Sequence, residues 1–380
     1  MLGVGSTVLD DLPEWLVVDE ILVRLPVKDV LRCRAVRKSW HSGTSTDAFI
    51  LGHHRRQHSL PIIKPLKDIC RVVGASNDLK MQPVLQYASA TIVHHAICDG
   101  LLILSRQSHY YICNPATHKW ASMPHPPQRQ PNTMAVSLVG FYRHHPSGEH
   151  RVLWVSYPIN AAAKGDVAVE LLEYFVLTVG SDQPRCIQWP AVSEQRFVPA
   201  IWSYQCPPIL HRGNLHWLMD FNITVFDTIA ETFRQMSRPA QLGDYVSLLD
   251  TGNTLALCRT DHNCVTLDVW VLRDYDAEMW IFQYQINLLV MEVSPPLNLK
   301  GIEIPKMAMI NERELLIEQC PCRLLHCDID GVLLGNVESK EHGNFLTLTR
   351  HCLQESMISL PLFETQKEAM NKEPPFAFVL

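Results

Sequence analysis

Residues 111–120 read Tyr111-Ile112-Cys113-Asn114-Pro115-Ala116-Thr117-His118-Lys119-Trp120. A short aromatic and β-branched run stops at an asparagine, and a tryptophan follows six residues later. The physical content is a strand, a tight turn and a returning strand. Asn or Asp at a strand end can bond its own backbone two residues on, which sets the turn. The spacing recurs. Gly100 precedes Asn114 by 14 residues, Trp120 follows by 6, and Met123 by 3 more. Gly213, Asp227, Phe233 and Met236 repeat the same three offsets, while Asp274–Trp280 and Asp328–Leu334 repeat the offset of 6. Asp227, Asp274 and Asp328 stand 47 and 54 residues apart. A period near 50 is the size of one four-stranded propeller blade. The 113 residues between Asn114 and Asp227 leave room for one unmarked unit.

Working outward, residues 61–380 hold runs of four to nine apolar and aromatic residues broken by turn residues. Residues 101–105, 110–113, 151–157, 171–179, 223–227, 267–273 and 323–328 are examples. Such spacing predicts many short antiparallel strands. Five units from Gly100, plus strands over 61–90, predict about six blades. Trp120, Trp217, Phe233 and Trp280 keep the blade period and read as core. Long connections at 123–133, 161–166, 196–208 and 291–305 are the expected capture loops, because binding residues concentrate on loops held by a rigid scaffold.

Residues 11–58 have a different texture. Asp11-Leu12-Pro13-Glu14 reads as a helix start, with an acidic cap and proline in the first turn. Leu12, Leu16, Val18, Ile21, Leu22 and Leu25 follow at helical spacing, and Pro26 ends the run. A second short helix restarts at Val27. A third is expected over 35–42, with Val36 and Trp40 on one face. Asp47 is expected to cap a fourth helix reaching about Arg56. Residues 1–10 are expected to be disordered. The fold class is therefore a segregated α+β chain: a small helical unit, then an all-β, propeller-like domain from residue 61.

Composition narrows the function classes. The 380 residues are 47% hydrophobic and 19% charged, with a formal net charge of −6. The helical part is nearly neutral at +1 and the remainder carries −7. Phosphate neutralisation needs a Lys/Arg excess, so no nucleic-acid partner is expected. No apolar run reaches 18 residues, so no membrane partner is expected either. The 12 cysteines read as reduced thiols in a cytoplasmic or nuclear chain.

The helical stretch resembles an F-box of the plant form. The matching residues are Leu12 to Leu16, Glu20-Ile21-Leu22, Arg24 to Lys28, Leu31 to Arg34, and Val36-Arg37-Lys38-Ser39-Trp40. The remainder resembles the F-box-associated region of plant proteins, notably those of grasses. Its marks are Tyr111 to Thr117 with Trp120, Leu215-His216-Trp217 with Val225 to Thr228, and Asp268 to Leu272. The resemblance implies a substrate receptor of an SCF-type ubiquitin ligase. Its helical unit would dock on a Skp-family adaptor, and through that reach a cullin and a RING protein. Its β-domain would hold an unknown target protein. By position, the implied adaptor-facing residues are Leu12, Pro13, Ile21, Leu22, Leu25, Val30 and Leu31, with Val36 and Trp40 in the small helical core. Cys33 and Arg37 depart from the residues usual there, and 42–46 lacks the apolar pair often found after the tryptophan. A proximity mechanism needs no catalytic residue, cofactor or metal in this chain. The alternatives are a propeller-type enzyme and a scaffold that never reaches a ligase.

Other chemistry is weaker. Cys320, Cys322, His326 and Cys327 lack the spacing of a zinc site and read as a strand with buried thiols. Cys258 and Cys264 read as a cross-strand pair. The doublets His53-His54, His94-His95 and His144-His145 read as surface or turn residues, because strand neighbours point to opposite faces. Arg32, Arg34, Arg37 and Lys38 read as a solvated basic face.

Overall fold

The computed structural model describes residues 12–65, 69–73, 81–87, 92–107, 109–124, 133–159, 172–187, 207–218, 222–243, 246–260, 266–288, 306–319, 323–337, 346–365 and 374–379. Residues 1–10 and Asp11 lie outside these. A continuous helical stretch opens the chain, with α1 at Glu14–Leu16, a π turn at Val17–Ile21 and a 3₁₀ turn at Leu22–Arg24. Then come α2 (Val27–Arg34), α3 (Lys38–Thr44) and α4 (Asp47–His54). The N-cap of α4 is Thr46 rather than Asp47, since its Oγ1 accepts from the Phe49 N–H at 3.2 Å.

Six antiparallel sheets follow. Blade 1 begins with β1 (Ser59–Pro65), β2 (Ile69–Val73) and β3 (Met81–Tyr87). Blade 2 is β4 (Ile92–Cys98), β5 (Leu101–Arg106), β6 (His109–Asn114) and β7 (Lys119–Ser122). Blade 3 is β8 (Met134–Arg143), β9 (His150–Pro158), β10 (Glu173–Thr178) and β11 (Arg185–Ile187). This is the unit without a sequence mark. Blade 4 is β12 (Ile209–His211), β13 (Asn214–Leu218), β14 (Ile223–Asp227) and β15 (Thr232–Met236). Blade 5 is β16 (Val246–Asp250), β17 (Leu255–Thr260), β18 (Thr266–Asp274) and β19 (Met279–Asn287). Blade 6 is β20 (Lys306–Met309), β21 (Glu314–Gln319), β22 (Arg323–Asp328) and β23 (Leu333–Val337). The chain then returns to blade 1. β24 (Leu346–Gln354) pairs with β1, and β25 (Phe376–Phe378) adds a fifth strand beside β3. The molecule is thus a six-bladed β-propeller whose first blade is shared between the two ends of the described chain.

The repeat has a structural meaning. Asn114, Asp227, Asp274 and Asp328 each end the third strand of a blade. Each accepts backbone N–H bonds in the following turn: from Ala116, from Ile229 and Ala230, from Asp276 and Ala277, and from Asp330 and Val332. Trp120, Phe233 and Trp280 then sit in the returning fourth strand, Trp120 and Trp280 half-buried and Phe233 buried.

The core consists of six apolar clusters, one between each pair of neighbouring blades. Alternate residues of one strand feed opposite clusters. Leu101 and Ile103 of β5 pack toward blade 3, and Leu102 and Leu104 toward blade 1. Both faces of the inner strands are therefore covered, which is why β5 is a continuous apolar run and why charge is scarce. Burying one such leucine contributes about 1.5–3 kcal/mol.

Candidate functional site

The helical unit has its own core of Val17, Val18, Leu22, Val23, Val27, Val30, Trp40 and Phe49. One residue of that core, Met357, comes from the other end of the described chain. The expected docking residues divide. Leu22 and Val30 fill this core, so they are corrected from adaptor-facing to structural; a side chain at 3% or 0% exposure has no surface to offer. Leu12, Leu25 and Leu31 are half-buried against the core, Pro13 is exposed, and Ile21 is 37% exposed. Trp40 is buried. Val36 is 66% exposed and is corrected from the core. Arg37 is the N-cap of α3 with extended dihedrals, φ −140° and ψ 140°. That break separates Val36 and Trp40, so helical spacing no longer places them on one face. Trp15, 63% exposed on α1, is an apolar surface residue that the sequence reading passed over. Its signal was its place in the first turn beside an exposed proline.

The basic cluster does not form one solvated face. Arg32 pairs with Asp29 at 3.1 Å on the surface. Arg34 Nε donates to Thr44 Oγ1 at 3.0 Å, and Arg37 stacks over the Trp40 ring at 5.3 Å. Thr44 is fully buried and donates to Trp40 O at 2.7 Å. A hydrogen-bonded threonine therefore occupies part of the 42–46 stretch that lacks the apolar pair.

The unit stands on the end of the propeller that carries the β4–β5 and β6–β7 turns. The connector is residues 355–360, after β24. Met357 enters the helical core, while Ile358 and Leu360 enter the blade 2–blade 3 core together with Ile50 and Leu51 of α4. Asn114 Nδ2 donates to Ser356 O at 3.0 Å and to Ile358 O at 2.9 Å. Ser356 Oγ donates to Asp99 O at 2.6 Å, and Gln354 Nε2 to Gln57 O at 2.7 Å. Gly100 has φ +75°, and a Cβ there would stand 2.6 Å from Ser356 Oγ. Only glycine lets the connector pass this close.

The histidine doublets at 53–54 and 94–95 are not surface features. His53 Nε2 donates to Leu25 O at 2.7 Å, and His54 Nδ1 to Glu355 O at 3.0 Å. His53, His54 and His94 are buried. Burial pushes the His95 imidazole down to about 4 and holds that of His94 well below its ordinary value. His326 is buried with Nε2 2.7 Å from Glu314 Oε2, and Cys327 is buried beside it; Cys320 and Cys322 lie outside the described residues. Cys258 packs its Sγ 3.8 Å from Met307 Sδ of blade 6; Cys264 lies outside the described residues.

The expected capture loops fall almost wholly outside the described residues. The strands that flank them are described. Ser122, Met134, Pro158, Glu173, Ile187, Ile209, Asn287 and Lys306 end or begin strands at the propeller end opposite the helices, because antiparallel strands reverse at each turn.

A helical unit seated on one end of a six-bladed propeller defines the class of protein. Residues 49–314 match the family model for the F-box associated beta propeller domain. F-box protein At5g49610 of Arabidopsis thaliana is 22% identical over 289 residues, covering 72% of this chain and 78% of that protein. F-box protein At2g34280 of the same plant is 25% identical over 328 residues, covering 73% and 82%. F-box/LRR-repeat/kelch-repeat protein At2g27520, also of Arabidopsis thaliana, is 25% identical over 280 residues, covering 70% and 73%. The chain belongs to the plant F-box proteins that carry an F-box-associated β-propeller domain.

Proposed function

We propose that this protein is the substrate receptor of an SCF-type cullin-RING ubiquitin ligase. The reading has the helical unit binding a Skp-family adaptor, with the far end of the propeller holding the target protein. The observation that carries it is the division of labour between the two ends. Exposed Pro13, Trp15 and Ile21 lie on a unit fastened to one end, and the long connections leave from the other. An exposed apolar set on a small helical unit favours a hydrophobic groove on a helical partner. The receptor then acts by proximity, raising the local concentration of target near the ubiquitin carrier, with no chemistry of its own. Such work belongs in the cytoplasm or nucleus.

Co-purification with a Skp-family adaptor tests it, comparing wild type with Trp15→Ala/Ile21→Ala. Both side chains are surface residues, so the variant is expected to stay folded and to bind at least about tenfold more weakly. Equal binding by both proteins, or none by wild type, rejects the reading.

A further inference from the structure

A cluster of metal-ligating side chains lies at the joint between α4 and the propeller, away from the exposed residues of the helical unit. Cys98 ends β4, and Asp99 follows it with φ 51° in the two-residue turn closed by Gly100. Two central residues at positive φ are the geometry of a primed hairpin turn, which Asp-Gly favours. His150 opens β9 in the next blade. The Cys98 Sγ, an Asp99 carboxylate oxygen and a His150 ring nitrogen all lie within 4.8 Å of one another. His150 Nε2 is 3.1 Å from Asp99 Oδ2, and His54 Nε2, reaching from α4, is 3.8 Å from Asp99 Oδ1.

We propose that Cys98, Asp99 and His150 bind one zinc ion at the joint of blades 2 and 3, with His54 of α4 beside Asp99 at the fourth position. Thiolate, imidazole and carboxylate are the donors zinc accepts, and its bonds of about 2.0–2.3 Å place tetrahedral neighbours about 3.3–3.7 Å apart. His150 Nε2 and Asp99 Oδ2, 3.1 Å apart, stand close to that span, and the Cys98 thiol lies within 4.8 Å of both residues' ligand atoms. The outer shell is in place. His54 Nδ1 donates to Glu355 O at 3.0 Å, which leaves Nε2 with its lone pair toward Asp99. Asp99 is anchored in turn, its carbonyl accepting from Ser356 Oγ.

One member of the cluster, His150, also borders open space. A cavity of about 510 Å³ lies between the helical unit and blade 3, lined by His150, Arg143, Glu149, Ser45, Asp47 and Thr178 among others. Arg143 is the nearby cation, and its Nε donates to Gly148 O at 3.2 Å in the β8–β9 turn. Binding zinc forms an S–Zn bond, and the thiol proton it displaces passes to solvent. This site stands whether or not the protein serves a ligase.

The test is zinc titration of the full chain against a competing chelator, followed by X-ray absorption at the zinc edge. One zinc per chain is expected, with a single sulfur in its shell. Cys98→Ser/His150→Asn is expected to bind at least about 100-fold more weakly, and His54→Gln about tenfold. Equal uptake by wild type and the double variant overturns the proposal. So does a wild-type shell with no sulfur or more than one. That sulfur count decides the matter even if the double variant proves unfolded by circular dichroism.

Discussion

Two turns of the propeller share one spacing and differ in one atom. At Asp227 the carboxylate accepts from the Ile229 and Ala230 N–H groups at 2.8 and 2.9 Å, and the residue is only half-buried. At Asn114 the Oδ1 accepts from Ala116 at 3.0 Å, but the residue is fully buried and its Nδ2 donates to two carbonyls of the connector. An aspartate suffices where a turn only needs an acceptor. An amide is required where the same turn must also hold a passing chain. One repeat position thus carries the blade turn in blades 2, 4, 5 and 6, and the footing of the helical unit at blade 2 alone.

The largest expected effect comes from Asn114→Asp. It preserves the acceptor and places a buried carboxylate against the Ser356 and Ile358 carbonyls. An uncompensated buried charge costs about 3–5 kcal/mol, read as a fall in urea midpoint. If the midpoint does not move, the amide is not what holds the connector. Met357→Ala should cost about 2–5 kcal/mol by emptying a place in the helical core. Amide exchange is expected to rise in α1 to α4 while the blade 4 and blade 5 strands stay protected; uniform exposure would refute a local footing. Asp227→Asn, which keeps the acceptor and exposes nothing, should stay within about 1 kcal/mol. Val36→Ala is expected to change stability by less than about 0.5 kcal/mol, since the side chain lies on the surface. A larger loss in thermal unfolding would return Val36 to the core.

Acid offers a further test. Burial lowers His95, His216 and His351 to about 4, with nearby charges assisting at His95 and His216. Their unfolded forms take up protons near the ordinary imidazole value of 6.5, while the folded forms resist. Their stabilising contribution is therefore complete above 6.5 and declines as pH falls toward 4. The melting temperature should drop across that window, and His216→Gln should shallow the slope. An unchanged slope would mean that His216 is not held neutral.

Much of the propeller was legible because its turns are local. Asn114, Asp227, Asp274 and Asp328 satisfy neighbouring N–H groups, so their spacing survives in the sequence. The four helices were legible for the same reason. Blade 3 carries no Asx mark and was inferred only from a gap. Ring closure by β24 was invisible, since pairing of Ile63 with Leu348 depends on residues 285 positions apart. The docking set was half legible. Helical spacing identifies apolar residues but not which of them face inward, so Leu22 and Val30 were assigned outward. The Arg37 break misplaced Val36. The buried histidines were missed because their partners, Leu25 O and Glu355 O, are backbone atoms that no motif reports.

The connector also orders events in time. β24 and residues 355–360 follow the other five blades along the chain, yet they supply the inner strand of blade 1 and the Met357 plug of the first-made helices. During synthesis the helical unit therefore waits, unseated, until the ring is complete. A chain released before residue 346 is expected to lose its helices first to limited proteolysis. Ring closure and the readiness of the helical unit are in this sense a single checkpoint.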